Sequence, residues 1–244
     1  MASLQHLRAA PDLVEQAYTT LLAAISSGEF APGHRLTQEE LAETLAVSRQ
    51  PVLQALRLLK QEGLVVDAPA KSGVPGASRG LMVAPLDADM IARLYEVRAV
   101  LDGLAARLAA QEHASIEPRL LAVGRGVAAG SDVAAMIDAD LAFHNAIYAA
   151  SGNPYIAESA GRHWQHIRRA MGAVLGAAGA RAAVWDEHAA IVAAIGAGDV
   201  DQAERLARKH AAQAGLNLQK RLRAANEDVP AADPRQPSTT GALT

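Results

Sequence analysis

Helical periodicity puts several polar side chains on faces that are otherwise apolar. Val133, Met136, Asp140, His144 and Ile147 follow one stripe. Trp185, His188, Ile191, Val192 and Ile195 follow a second, and Ala203, Leu206, His210, Ala214 and Asn217 a third. A fourth reads Ile91, Leu94, Arg98, Leu101, Ala105 and Leu108. Burying a carboxylate, three imidazoles and a guanidinium costs several kcal/mol each unless they are paired or bound to a metal. Taken singly, each has an ordinary explanation: a core histidine with one hydrogen-bond partner, or Arg98 bonded to Asp102 at i+4. Together, with Asp140 and His144 at i, i+4, they are a donor set suited to Zn²⁺, Ni²⁺ or Mn²⁺. Both explanations stand at this point.

The elements that would position these residues read as helices at about 87–112, 115–129, 132–151, 154–178, 181–197 and 200–225. Gly and Pro punctuate most of the junctions. Short connections between six helices imply an antiparallel bundle. Half of the 244 residues are hydrophobic but only 3% are aromatic, a composition that favours Ala/Leu-packed helices over a β-sandwich. The absence of cysteine excludes disulfides, thiolate metal sites and cysteine nucleophiles. No signal sequence or apolar membrane span is read, so the chain is expected to be cytoplasmic. The expected organisation is a flexible N-terminus over 1–11, a DNA-binding domain over 12–84, a helical domain over 85–226 and a disordered Pro-rich tail over 227–244.

The N-terminal half carries a different chemistry. In LTQEELAETLAVSRQPVLQALRLLKQEG (36–63), Thr37 and Glu40 form a capping box and a short helix ends near Ala46-Val47. Ser48 caps a second helix with Pro51 in its first turn. Val52, Ala55, Leu56 and Leu59 face inward, while Arg49, Leu53, Arg57 and Lys60 share another quadrant at about 100° per residue. Leu64–Val66 and Leu81–Val83 read as strands flanking a Gly/Pro-rich segment that carries Lys71 and Arg79. A capped helix, a tight turn, a helix with a basic stripe and a hairpin make a winged helix-turn-helix, which reads the major groove. The net charge is −3, so DNA affinity must come from this local patch. Between Ala46 and Gly80, five basic residues stand against two acidic ones.

The run GEFAPGHRLTQEELAETLAVSRQPVLQAL and the following hairpin resemble the N-terminal domain of GntR-family transcription regulators, over about residues 12–85. The resemblance implies a DNA-contacting set of Arg35, Thr37, Ser48, Arg49, Gln50, Leu53, Arg57, Lys71, Arg79 and Gly80. The family usually places Arg at the position of Leu53, where it reads a guanine, and Glu at that of Gln54. The operator of this chain should therefore differ from the usual one. DADLAFHNAIYAASGNPYI, WDEHAAIVAAIGAGD and Ala203–His210 resemble the FCD effector domain of the FadR branch, over about residues 87–215. That resemblance implies one divalent metal per chain, zinc first with nickel or manganese as alternatives, bound by Asp140, His144, His188 and His210. It also implies a small organic-acid effector met by Arg98 and Asn153, with Leu94, Arg98, Leu101 and Asp102 matching the family's L-x-x-x-R-x-x-L-[ED] pattern. The six-helix count is closer to the VanR-type variant than to the seven-helix FadR type.

The function implied is a homodimeric, metabolite-controlled repressor that binds operator DNA and is not an enzyme. Two rivals remain in the sequence: a metal-dependent hydrolase fused to a DNA-binding head, and a sensor of the metal itself. Asp186 and Glu187, beside His188, are the acidic residues that keep the hydrolase open. His6, His34, His113, His163 and His166 are assigned to surface or linker, with His163 and His166 as candidate pocket residues.

Overall fold

The computed structural model describes residues 12–69, 80–174 and 181–227. Lys71 and Arg79 lie outside these residues, as do the expected flexible N-terminus and all but the first residue of the expected tail.

The first element, α1 (Leu13–Ser27), begins at Asp12, whose carboxylate accepts from the N–H groups of Val14 and Glu15. It ends at Gly28 in a left-handed conformation (φ 83°), which lets the Gly28 N–H return to the Ile25 carbonyl. β1 (Arg35–Leu36) precedes α2 (Gln38–Thr44). At the start of α2 the Thr37 hydroxyl accepts from the Glu40 N–H (3.4 Å) and donates to the Glu40 carboxylate (2.6 Å). The capping box is therefore closed through the hydroxyl. The turn out of α2 is tight because Ala46 takes φ 52° and the Val47 N–H bonds back to the Ala42 carbonyl.

Next comes α3 (Arg49–Gln61), with Ser48 at its N-cap position but no cap bond from its side chain. The sequence reading had the serine capping the helix; it holds the position without the bond. Pro51, at the third helical position, removes one of the two N–H groups that such an oxygen can meet, and the other, on Gln50, is not taken up. Val52, Ala55, Leu56 and Leu59 are fully buried against Ala17, Leu21 and Ile25 of α1. β2 (Val65–Asp67) and β3 (Leu81–Val83) pair antiparallel, and β1 adds to the other edge of β3 to give the order β1-β3-β2. β1 was not anticipated, since a two-residue strand is too short to show alternation.

The second domain comprises α4 (Ala88–Gln111), α5 (Pro118–Ala128), α6 (Val133–Ala150), α7 (Pro154–Val174), α8 (Arg181–Ala197) and α9 (Val200–Glu227). These are the six helices expected, except that the described part of α7 ends at Val174 and α9 runs on to Glu227. Small residues let the helices approach closely. Gly215 of α9 leaves no room for a β-carbon, which would lie 2.5 Å from the Tyr95 side chain of α4. Gly124 of α5 does the same for the Trp185 indole of α8, at 2.0 Å. Among the described residues, no helix is long and apolar enough to cross a membrane.

The two domains meet where α7 lies against α1 and the end of α3. His166 Nε2 sits 2.8 Å from the Glu62 carbonyl, at the C-terminal end of α3. Arg169 donates to the Ala84 carbonyl at 2.5 Å, and the Ser26 hydroxyl donates to Gln165 at 3.1 Å. Tyr18 ties the Glu62 carboxylate from the α1 side, at 2.8 Å. His166 thus belongs to the junction between domains rather than to a pocket.

Candidate metal centre and reading face

Helical spacing carries Asp140 and His144 to one point on α6, and His188 (α8) and His210 (α9) arrive from two further helices. Asp140 Oδ1 lies 3.8 Å from His144 Nε2 and 3.6 Å from His188 Nε2, while His188 Nε2 and His210 Nε2 are 3.1 Å apart. One ligand atom from each of the four falls within 4.8 Å of all the others. Metal–nitrogen bonds near 2.0–2.1 Å would set tetrahedral ligand atoms about 3.3 Å apart, so a small contraction closes the set around an ion.

Hydrogen bonding prepares these nitrogens. The Nδ1 of His210 lies 2.7 Å from the Glu187 carboxylate, and the Nδ1 of His144 lies 3.4 Å from Asp102 Oδ2. Carboxylates so placed favour the proton on both Nδ1 atoms, the tautomer that turns both Nε2 lone pairs to the common centre. The Nε2 of His144 is buried with no hydrogen-bond partner, the state of a ligand awaiting its ion. Phe143 stacks on His188 with centroids 3.9 Å apart, fixing that ring. Burial holds His144 well below its usual pKa and pushes His188 down to about 2, reinforced in both by the neighbouring Arg98 and imidazoles. Both rings are therefore neutral, as ligation requires.

Asp102 organises the centre from behind. It is 3% exposed and is approached by Arg98 Nε (3.3 Å), His144 Nδ1 and the Tyr148 hydroxyl, which makes a short bond to it. Burial raises the carboxyl pKa of Asp102 and of Asp140, with Arg98 opposing in each case. For Arg98 burial alone would lower the pKa, but Asp102 and its neighbours raise it above the ordinary arginine value. With both carboxyls ionised, the buried set holds one guanidinium against two carboxylates, a net −1 that a divalent ion converts to +1. The sequence pattern contained Asp102 but not its place 3.4 Å from His144 Nδ1. The clue was that Arg98 and Asp102, like His144 and Tyr148, stand at i, i+4 on converging faces. Asp186 turns away to pair with Arg125 at 2.7 Å, and Glu187 is engaged by His210.

A cavity of about 180 Å³ opens beside this centre, with Arg98, Asp140 and His210 at its inner end. Arg98 Nη1 donates to the Tyr95 hydroxyl oxygen at 3.2 Å, and its guanidinium carbon lies 4.3 Å from the Trp164 ring centre. Asn153, expected to meet the effector, is not among the lining residues. Its side-chain oxygen accepts from the Tyr155 N–H at 3.1 Å, which makes it a cap for α7.

On the reading head, Arg49, Gln50 and Arg57 are exposed along α3, and Leu53 between them is half-buried without joining the domain's core. Arg49 pairs with Glu39 of α2 across the turn, and Lys60 pairs with Asp67 at 2.7 Å. Arg35 donates to the Pro69 carbonyl at 2.8 Å, beside Gly80. Thr37 and Ser48 occupy the N-cap positions of α2 and α3, where backbone N–H groups can receive phosphate.

Family descriptions match both halves of the chain: "Bacterial regulatory proteins, gntR family" over residues 13–72 and "FCD domain" over residues 93–213. An uncharacterized HTH-type transcriptional regulator from an unstable DNA locus of Streptomyces ambofaciens is 30% identical over 193 residues, 79% of each chain. A regulator encoded in the TAR-I ttuE-ttuC' intergenic region of Agrobacterium vitis is 32% identical over 46% of this chain and 61% of its own. YdhC of Bacillus subtilis (strain 168) is 27% identical over 58% of this chain and 62% of its own. The matched part thus spans about three fifths of the length of these last two relatives. Among solved structures, E. coli McbR/YncC has a TM-score of 0.67 at 22% identity, covering 85% of this chain and 97% of its own. A putative GntR regulator from Rhodococcus sp. RHA1 gives 0.69 at 23%, with the same coverage. At these identities the likeness is one of fold.

Proposed function

Because the chain belongs to the GntR family of DNA-binding transcription regulators, with an FCD effector domain behind its reading head, we propose that it is a FadR-branch repressor released from its operator by an organic acid. The observation that carries this reading is the convergence of Asp140, His144, His188 and His210 on one point at the floor of a cavity that also exposes Arg98. A divalent ion held there, zinc in the first instance, would supply a Lewis-acidic point for a carboxylate. With the ion in place the buried set holds a net +1, which one carboxylate neutralises. Arg98 orients that acid while Asp102 and Tyr95 hold the guanidinium in place.

The route to DNA runs through α7. Trp164 lies over Arg98 and 5.8 Å from the His144 ring, and Met171 and Val174 help to line the cavity. From the same helix, His166 and Arg169 hold the end of α3 and the linker by their main-chain carbonyls. An acid that shifts Arg98 and the cavity wall displaces α7, and α7 reorients the reading head. This is a coupling between two distinct sites.

Operator binding calls for a homodimer, since one small head buries too little surface for specific affinity. The apolar residues Val97 and Val100 of α4, about half exposed, and Leu216 of α9, 60% exposed, support a self-associating face on the bundle. Direct readout would come from Arg49 and Gln50, with Arg57 and the hydroxyls of Thr37 and Ser48 on phosphate.

The test uses DNA selected by the protein itself from a random pool. Release of that DNA by small carboxylic acids from metal-loaded protein, but not from chelated protein, is expected. Release by the metal alone would mean a metal sensor. Consumption of the acid or an ester would mean the hydrolase.

A further inference from the structure

The cavity has two charged ends, and the family reading accounts for only one. Along α9, His210, Ala214, Leu218 and Arg221 face it at successive turns, from the metal centre outwards. The middle is mostly apolar, walled by Met136, Met171, Val174, Val184, Trp185 and Leu218, with Gln213 and Asn217 of α9 beside them. At the outer end Arg221 is partly buried and has no ion pair among the described residues. Its neighbour Arg223 differs, since it is held by Asp89 at 2.5 Å. An arginine that lines a ligand cavity, with no carboxylate paired to it among the described residues, is a receptor for an anion brought by the ligand.

We propose that the effector is a two-ended acid, with one carboxylate at the metal and Arg98, an apolar middle, and a second anionic group at Arg221. This rests on the reading of the cavity as the effector site. The length follows from the helix. Eleven residues separate His210 and Arg221 on α9, roughly 16 Å at about 1.5 Å per residue. Arginine side chains on a helix lean toward its N-terminus, here toward the metal, which leaves roughly 8–10 Å to span. An extended chain advances about 1.2 Å per bond, so roughly seven or eight bonds separate the two acid carbons. Saturated diacids of suberate length fit, whereas succinate is too short to touch both ends. A monocarboxylate such as octanoate fills the middle but leaves Arg221 without an anion.

Calorimetric titration of zinc-loaded full-length protein tests this with suberate, octanoate and succinate as probes. Suberate should bind about tenfold more tightly than either of the others, the worth of one charge-assisted contact at a partly exposed position. Arg221→Ala should remove that advantage and leave octanoate unchanged, while Arg221→Lys should keep part of it. Equal affinity for suberate and octanoate in the wild type, or an advantage that survives in Arg221→Ala, overturns the proposal while the acid site itself stands. If no acid binds the loaded protein, or binding ignores Arg98→Ala, then the effector-site reading fails and this inference fails with it.

Discussion

Asp102→Asn should weaken metal binding without touching a ligand. The carboxylate lies 3.4 Å from His144 Nδ1, where it favours the proton on that nitrogen and so turns the Nε2 lone pair to the ion. An asparagine of the same shape has one acceptor oxygen, which the short bond from Tyr148 claims first. Its NH₂ then faces the His144 Nδ1–H, and the ring must turn or change tautomer. Loss of such a partner typically costs 10–100-fold in metal affinity, about 1.4–2.7 kcal/mol. Arg98 also loses its nearest counter-charge at 3.3 Å and keeps only Asp140 at 3.8 Å. Breaking a buried pair from one side costs about 3–5 kcal/mol, so the metal-free protein should melt roughly 6–20 °C lower. Competition against a chromophoric chelator reads the first effect, and thermal melting in the presence of chelator reads the second. Asp186→Asn is the control, since Asp186 pairs with exposed Arg125 away from the centre. Wild-type zinc affinity in Asp102→Asn would refute the argument that this carboxylate sets the ligand's tautomer.

Further expectations concern DNA, the domain junction and assembly. Arg49→Ala should cost about 1–3 kcal/mol of operator affinity and relax specificity, because the exposed pair with Glu39, worth at most ~1 kcal/mol, yields readily to a guanine. Leu53→Arg should enrich a different half-site in a selection experiment, and identical half-sites would show that residue 53 reads nothing. His166→Ala with Arg169→Ala should leave acid binding intact but abolish acid-induced DNA release, measured by fluorescence anisotropy. Burial depresses the pKa of His166, helped by Arg169 and His163 and opposed by the Glu62 carbonyl, so the open junction takes up a proton first. Docking should be complete above pH ~6.5 and weaken below it, seen as faster amide exchange around Glu62 at pH 5.5. Val97→Glu with Val100→Glu should yield monomers by sedimentation, and an unchanged dimer would place the interface elsewhere.

Most of the fold was legible because its determinants are local. Asp12, Thr37 and Gly28 act within four residues of themselves, and the inward stripe Val52-Ala55-Leu56-Leu59 is plain periodicity. The cluster of Asp140, His144, His188 and His210 was legible for a related reason: polar residues on an apolar helical face are conspicuous. What the sequence concealed depends on geometry between helices. Asp102 touches a histidine 42 positions away, and Glu187 looked like a free acid until His210 was placed against it. His166 reads as a surface residue unless α7 is known to lie on the end of α3. Asn153, just before Pro154, starts α7 by accepting from the Tyr155 N–H, a local role that an Asn-Pro pair does not announce, and Ser48 holds the N-cap position of α3 without a side-chain cap bond, a detail that depends on the rotamer and not on the spacing.

The most direct test of the account is elemental analysis of untagged protein, wild type beside His188→Ala and His210→Ala. About one equivalent of a divalent transition metal per chain is expected in the wild type, falling steeply in both variants while their helical content persists. Wild-type protein that stays metal-free after incubation with zinc, or full metal retention in both variants, would contradict the centre on which the account depends.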